Sequence, residues 1–147
     1  MTISQESLDR LFFKARTANG FIDKPVPASL LKEVYDLAKM APTSMNTQPT
    51  RYVFLTTPAA KERLIPTLSP GNVDKTRSAP VTVIVATDTK FYEFMPQVWH
   101  REGAKENFEA NPALAAGTAT RNGTLGGGYF ILAARAHGLD CGPMSGR

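Results

Sequence analysis

The sequence predicts an α+β domain in which helices pack against a small sheet. Two segments rich in β-branched and aromatic residues, 51–57 (RYVFLTT) and 79–88 (APVTVIVATD), are typical of strands. Segments with apolar residues at three- and four-residue spacing lie around them and are typical of helices. The chain has 147 residues, a length that suits one domain, 1–147.

Two helices are predicted in the N-terminal third. The first covers Glu6 to Ala15, with Ser4 or Ser7 as its candidate N-cap. The second covers Ala28 to Met40, after a turn that contains Asn19-Gly20. Its apolar residues share one face and are expected to point inward: Leu30, Leu31, Val34, Leu37 and Ala38.

The middle of the chain predicts alternating helix and strand. Residues 58–68 (PAAKERLIPTL) read as a helix that starts with proline. The apolar run within 79–88 is nearly continuous, which predicts a strand buried on both faces. Residues 90–99 form a short helix or lid that ends near Pro96, and 139–142 (LDCG) are a candidate third strand.

A long helix is predicted from Pro112 to His137, capped by Asn111 and closed by Gly138. Five glycines lie within it, namely Gly117, Gly123, Gly126, Gly127 and Gly128. Each glycine inside a helix costs about 0.5–1 kcal/mol relative to alanine. Close approach of another helix, a partner subunit or a ligand would offset that cost.

The composition argues against several classes of protein. The net charge is +4, and basic residues are interspersed with acidic ones, so no nucleic-acid face is expected. No apolar run is long enough to cross a bilayer, and the N-terminus lacks the pattern of a signal peptide. We therefore expect a cytoplasmic protein that does not bind membranes.

The histidines and the cysteine offer little chemistry. One cysteine, Cys141, excludes an internal disulfide framework and a cysteine-rich zinc site. It could act as a nucleophile with His137 four residues before it, but a buried inert thiol is the preferred interpretation. His100 and His137 do not have the spacing of a metal pair, so no metal is expected.

A row of short polar side chains follows Pro42: Thr43, Ser44, Asn46, Thr47 and Gln48. A connector between a helix and a strand does not need so many hydrogen-bonding groups. Capping could account for Thr43 or Ser44, but not for Asn46 and Gln48. The stretch either caps and turns or binds a polar ligand.

Two weaker motifs add to this row. Asn72 and Lys75 are three residues apart and would share one side of a helical turn, where they could hold a polarised oxygen. Arg16, Thr17 and Asn19 follow the first helix, and arginine suits phosphate. A capped surface helix and a plain turn are the alternatives. The final residues, 142–147 (GPMSGR), look like a binding turn.

Taken in order, these motifs resemble the nitroreductase family of flavin-dependent oxidoreductases. The matching residues are Arg16-Thr17, the segment 42–49 (PTSMNTQP), Asn72 to Lys75 and the turn 143–146 (PMSG). Further segments, including ARTANGF, TATRNG and LDCGPMSG, resemble the malonic semialdehyde reductase subgroup of pyrimidine breakdown.

The resemblance implies a sandwich with a central mixed sheet flanked by helices, and a homodimer with FMN at its interface. It also implies fourteen cofactor-binding residues: Arg16, Thr17, Asn19, Pro42, Thr43, Ser44, Asn46, Gln48, Asn72, Lys75, Pro143, Met144, Ser145 and Gly146. The 42–46 segment would reach the flavin of the other subunit, and Asn72 and Lys75 would face the pyrimidine edge. The glycine-rich helix would pack at the dimer core.

The implied activity is a ping-pong transfer of hydride. NADH or NADPH would reduce FMN, which would reduce a small aldehyde, such as malonic semialdehyde, or a nitro or quinone acceptor. No catalytic side chain is needed, because the flavin carries the chemistry. Family chains continue past the Pro-x-x-Gly turn, so the resemblance also predicts a chain truncated at its C-terminus. A truncated flavin-binding module with weak catalysis is the alternative.

Overall fold

The computed structural model describes residues 2–145. Within this range seven α-helices and two strands follow in the order α1 (Gln5–Leu8), α2 (Ala28–Ala38), β1 (Thr50–Leu55), α3 (Pro58–Leu64), α4 (Pro70–Ser78), β2 (Thr82–Thr87), α5 (Met95–Val98), α6 (Ala104–Ala110) and α7 (Pro112–Ala136). A π-helical turn continues α1, and three 3-10 turns precede or follow other elements: Asp9–Phe13, Ser44–Asn46, Ile65–Thr67 and Phe91–Phe94.

The two strands pair in antiparallel register, with Thr50 opposite Thr87 and Leu55 opposite Thr82. The predicted mixed sheet is therefore wrong for the described residues, which form a two-stranded sheet. The candidate third strand is also wrong, because 139–142 have no regular secondary structure. The backbone there pairs instead with the turn after α1, through the Ala18 amide and the Cys141 carbonyl.

The prediction that β2 is buried on both faces is wrong. Ile84 and Val85 point to opposite faces of the strand, yet they are 36% and 45% exposed. In the described part of the chain β2 has a strand neighbour on one side only. A continuous apolar run predicts burial only where other elements cover both faces, and local sequence does not report that cover.

The N-terminal helices begin near their predicted positions. Ser4, rather than Ser7, is the N-cap of α1, since its hydroxyl accepts a hydrogen bond from the Ser7 amide at 3.1 Å. In α2, Val34 and Ala38 are buried, but Leu37 is 48% exposed. Leu37 lies at the edge of the stripe centred on the two buried residues, so it was wrongly assigned to the core.

Helix α7 passes through both hydrophobic clusters of the described chain. The first cluster comprises Phe91, Met95, Ala104, Phe108, Ala115 and Ala119. Its Phe91 and Phe108 rings lie 5.0 Å apart at 72°, the edge-to-face arrangement that aromatic pairs favour. The second comprises Val34, Ala38, Ala133 and Ala134, against which Tyr52 and Phe130 pack. Helix α6, which the sequence analysis did not predict, contributes Ala104 and Phe108 to the first cluster.

The sheet accounts for two of the five glycines in α7. A Cβ atom at Gly123 would clash with the side chain of Thr87, and one at Gly126 would clash with that of Thr50. The close approach is therefore to the sheet of the same chain, which was not among the three expected partners. At Gly117 and Gly128 an added Cβ would meet no atom within 4 Å.

The later helices begin and end close to their predicted positions, but not always with the predicted caps. Pro96 lies in the first turn of α5 instead of ending the lid, because proline needs no amide partner there. The predicted cap at Asn111 is wrong: the residue precedes α7, but its side-chain oxygen accepts no amide of the first turn, and its Nδ2 donates to the Asn107 carbonyl at 2.7 Å. Gly138 has φ 79°, the left-handed backbone expected after a helix. Among the helices in residues 2–145, none combines the length and the apolar character of a membrane span.

Candidate functional site

Three of the four sequence motifs meet in one place, which we call the first half-site (16–19, 72–76 and 141–145). Lys75 Nζ lies 3.4 Å from Asn19 Oδ1. The Ala18 amide donates to the Cys141 carbonyl at 2.9 Å, and the Thr76 hydroxyl lies 3.9 Å from the Met144 sulfur. These contacts bring together the turn after α1, helix α4 and the C-terminal turn.

The close approach of these segments depends on Gly142. A Cβ there would clash with the carbonyl oxygen of Ala18, so a larger residue would push the C-terminal turn away. Thr76 is 1% exposed, and its hydroxyl donates to the Asn72 carbonyl at 2.9 Å within α4. Helix α4 therefore has a buried side that faces the C-terminal turn.

Lys61 anchors the end of α4 and was missed in the sequence analysis. Its side chain belongs to α3 and is 8% exposed. Its ammonium donates to the carbonyls of Arg77 at 2.8 Å and Ala79 at 2.6 Å, where α4 leaves acceptors without helical partners. A cation at a helix C-terminus is also favoured by the helix dipole.

The remaining predicted residues of the first half-site lie at the surface. Arg16 is exposed, and its guanidinium donates to the carbonyls of Phe13 and Ala15 at 2.9 and 2.7 Å. Thr17 and three residues of the other segments are exposed or half-buried: Asn72, Pro143 and Ser145. Gly146, also predicted, lies outside the described residues.

The polar row after Pro42 forms a loop with unusual backbone, which we call the polar loop (43–48). Three of its non-glycine residues have left-handed φ values, namely Met45 at 52°, Asn46 at 54° and Gln48 at 41°. Such backbone costs on the order of 1–3 kcal/mol per residue and persists only where the surroundings enforce it. The row of donors and acceptors is therefore held in a shape that a plain connector does not need.

Internal hydrogen bonds account for part of that shape. The backbone amide of Gln48 donates to Thr43 Oγ1 at 3.1 Å, and its side-chain Nε2 donates to Asn46 Oδ1 at 2.5 Å. Pro42 and Ser44 are exposed. Thr47 is 2% exposed, and its hydroxyl has no hydrogen-bond partner within the described chain. Capping and turning thus use Thr43, whereas the Ser44 hydroxyl and the Gln48 side-chain oxygen stay exposed without a partner within the described chain.

Contacts with the rest of the fold hold the loop in place. Asn122 in the middle of α7 accepts the Ser44 amide at Oδ1, at 2.8 Å, and is 3% exposed. Asn46 Nδ2 donates to the Val98 carbonyl at 2.9 Å, and Met45 packs against the first hydrophobic cluster. The sequence analysis missed Asn122 as a site residue. The signal that could have identified it is an asparagine at a buried position of an apolar, glycine-rich helix.

The polar loop is not bonded to the first half-site. Among residues 2–145, no hydrogen bond joins 43–48 to the segments 16–19, 72–76 or 141–145. A groove of about 550 Å³ opens beside the loop instead, lined by Thr43, Gln48, Arg51, Tyr52 and Phe94 among others. The described chain therefore carries two sets of predicted cofactor-binding groups that are not hydrogen-bonded to each other.

The charges of these sets favour a bound anion over acid–base catalysis. Within the described chain Lys75 forms no ion pair, and its ammonium faces a neutral amide.

Burial raises the pKa of the Cys141 thiol, an effect that the nearby Arg135 partly offsets. His137 Nδ1 lies 3.5 Å from Oε2 of Glu33. Cys141 is half-buried, not fully buried as the preferred interpretation has it. Its thiol is protonated at neutral pH, and residues 2–145 contain no cluster of metal-binding side chains.

Comparison with known proteins gives a family. A sequence model described as the Nitroreductase family matches residues 14–147. A protein named "Putative NADH dehydrogenase/NAD(P)H nitroreductase" from Stenotrophomonas maltophilia (strain R551-3) is 56% identical over 140 residues, which are 95% of this chain and 71% of that protein. A protein of the same general name from Cupriavidus pinatubonensis is 53% identical over 146 residues, covering 97% of this chain and 74% of its own.

Solved structures share the fold. A crystal structure described as "a putative nitroreductase in complex with FMN", from Exiguobacterium sibiricum 255-15, superimposes with a TM-score of 0.81. It is 18% identical in sequence, and the match covers 99% of this chain and 76% of that one. A Bacillus subtilis structure described as "putative nitroreductase ydfN" has a TM-score of 0.77 at 23% identity, and the match covers 97% of this chain and 77% of that one.

Proposed function

Since the chain belongs to the nitroreductase family, we propose that it is an FMN-dependent NAD(P)H oxidoreductase that works as a homodimer. The observation that carries the proposal is the first half-site, where three motifs far apart in sequence meet around Lys75 and Asn19. The relatives' names, which include NAD(P)H nitroreductase, agree with this activity.

The residues present fit a flavin mononucleotide. Its pyrimidine edge carries oxygens that need donors, and Lys75 offers an ammonium that is paired with an amide, not with a carboxylate. The polar loop offers exposed amide and hydroxyl groups on a backbone of fixed shape. Arg16 lies on the surface, and it would have to release its bonds to Phe13 and Ala15 to bind a phosphate.

The side chains of this protein would bind and tune the cofactor. Lys75 and Asn72 would hold the polar edge of the flavin, and a cation there favours negative charge on the bound group. When bound, FMN would supply the redox chemistry, a ping-pong transfer of hydride from NAD(P)H to the acceptor. Cys141 would take no part, because its thiol is half-buried and burial raises its pKa, which keeps it protonated.

The lack of hydrogen bonds between the two sets of groups supports the proposed dimer. Because no hydrogen bond within the described chain links the polar loop to the first half-site, two copies would be needed to surround one flavin. Exposed apolar side chains on α7 and β2, such as Leu125 at 47%, Tyr129 at 39% and Val85 at 45%, offer surface for a second copy. Gly128 lies on α7 with open space above it, so a partner backbone could approach closely there.

The first experiment is to add FMN to the purified chain, remove the excess and record the visible spectrum and the sedimentation coefficient. Retained flavin bands on a dimer, with NAD(P)H oxidation on addition of a quinone, are expected. A colourless protein would contradict the cofactor proposal. Flavin bound without NAD(P)H oxidation would instead favour a flavin-binding module without turnover.

For the acceptor, we propose a small aldehyde of the malonic semialdehyde type, reduced to 3-hydroxypropionate in the cytosol. The support is the resemblance of 139–146 and 118–123 to the corresponding subgroup. Comparing kcat/KM for malonic semialdehyde, a nitroaromatic and a quinone tests it, with either NADH or NADPH as donor. A higher kcat/KM for the nitroaromatic or the quinone than for the aldehyde would argue against this substrate.

A further inference from the structure

Contacts with other parts of the chain hold the polar loop in an energetically unfavourable conformation. Left-handed backbone at Met45, Asn46 and Gln48 and an unpaired buried hydroxyl at Thr47 all disfavour this shape. The loop's own bonds run between Thr43, Asn46 and Gln48 and reach the Ser44 carbonyl, which accepts the Thr47 amide at 3.0 Å, but none of them provides an acceptor for the Ser44 amide. A group from elsewhere must therefore fix the point at which the strained run begins.

The geometry points to Asn122 as the positioning residue that keeps the polar loop in its ligand-ready shape, an inference that rests on the proposed function. Asn122 Oδ1 accepts the Ser44 amide at 2.8 Å, one residue before the left-handed run. Asn122 Nδ2 donates to the Thr118 carbonyl at 2.8 Å, which fixes the orientation of the side-chain amide. The residue is 3% exposed, so water cannot readily replace either bond.

Neighbouring packing makes Asn122 a rigid support. Its helix is pressed against the sheet at the next residue, where Gly123 approaches Thr87 without room for a Cβ. The first hydrophobic cluster holds the preceding turn of α7 through Ala115 and Ala119. The Ser44 amide is thus tied to a part of the fold that cannot follow the loop if the loop relaxes.

Two nearly isosteric variants separate positioning from general stability. Asn122→Asp keeps the oxygen that accepts the Ser44 amide, but it places a second oxygen against the Thr118 carbonyl, so it should lower Tm. Asn122→Leu removes the acceptor and leaves the Ser44 amide unpaired. Thr124→Ala is the matched control, since Thr124 makes the same kind of bond to the Thr120 carbonyl, at 2.9 Å, on the exposed side of the helix.

The first readout needs no cofactor. Amide hydrogen exchange at Ser44, followed by NMR on the chain alone, should be about tenfold faster or more in Asn122→Leu, and near wild type in Asn122→Asp and Thr124→Ala. Equal protection of Ser44 in all four proteins would overturn the inference, because the bond would then not be what orders the loop.

The second readout is the Kd for FMN, measured by quenching of flavin fluorescence. Asn122→Leu should raise it about tenfold or more, and Asn122→Asp should leave it within about threefold despite its lower Tm. A Kd that follows Tm across the variants would reduce Asn122 to a structural residue and overturn the inference. If the wild-type chain binds no FMN, the proposed function fails, and with it the cofactor role of Asn122; the exchange result would then report only on the loop.

Discussion

The ammonium of Lys75 lies 3.4 Å from the side-chain oxygen of Asn19, although 56 positions separate the two residues in sequence. Lys75 belongs to α4, and Asn19 belongs to the turn after α1. The contact leaves the ammonium beside a neutral acceptor, so its charge is not cancelled by an ion pair among the described residues. The site therefore keeps a positive charge for an electron-rich ligand.

Removing that charge should slow the reaction more than it weakens folding. A charge-assisted hydrogen bond is worth about 1.5–3 kcal/mol, so Lys75→Met should lower kcat/KM for NAD(P)H oxidation by about 10- to 100-fold. Lys32→Met is a control that removes one surface charge from α2, where Lys32 pairs with Asp36. An equal loss of activity in both variants would show that only the net charge matters.

A methyl group at Gly126 should destabilise the protein, whereas one at Gly117 should not. The Gly126 Cβ would overlap the Thr50 side chain, and overpacking of this kind costs about 1–3 kcal/mol. Gly117→Ala meets no atom within 4 Å and should add about 0.5–1 kcal/mol of stability through better helix propensity. Urea unfolding of both variants measures the difference. Equal stability would mean that α7 can move away from the sheet at little cost.

Folding stability should decline at alkaline pH because of Tyr52 and Cys141. Burial raises the pKa of both groups, so the folded chain keeps protons that the unfolded chain has already lost above the ordinary thiol and phenol range. The free energy of unfolding should therefore fall as pH rises through that interval. The Tyr52 hydroxyl also donates to the Gly126 carbonyl at 2.9 Å, a bond that ionisation would remove.

The variant Tyr52→Phe tests the tyrosine part of this alkaline decline. It should cost about 1 kcal/mol at neutral pH through the lost hydrogen bond, and its stability should change less between neutral and alkaline pH than that of the wild type. Urea unfolding at a series of pH values gives both quantities. An unchanged pH slope would assign the decline to other groups.

Replacing Lys61 should loosen the end of α4. Lys61→Met would leave the carbonyls of Arg77 and Ala79 without the ammonium that they now share, a loss of about 1–3 kcal/mol. Arg63→Met is the matched control, since Arg63 lies on the same helix but is exposed. Thermal unfolding should show a clear drop in Tm for the first variant only. Similar Tm values for the two would mean that the cap contributes little.

Much of the candidate site was predictable because its polar residues lie a few positions apart in short sequence motifs. The helix containing Asn72 and Lys75 and the turn containing Asn19 were recognised from local patterns, and the structure brings them together. The left-handed run in the polar loop was not predicted, because Met45 and Gln48 have no intrinsic preference for that backbone. Tertiary contacts impose it.

By itself the sequence determined the helix periods, the two strands, the polar row and the order of motifs that defines the family. The first three are properties of neighbouring residues, so they can be read from spacing. The order of motifs contributed a resemblance to a known family. Only the tertiary structure decided that Asn122 holds Ser44, that Gly126 approaches Thr50, and that the two sets of predicted cofactor groups are not bonded to each other within the described chain. Such pairings depend on how elements pack across long sequence separations, which no local pattern records.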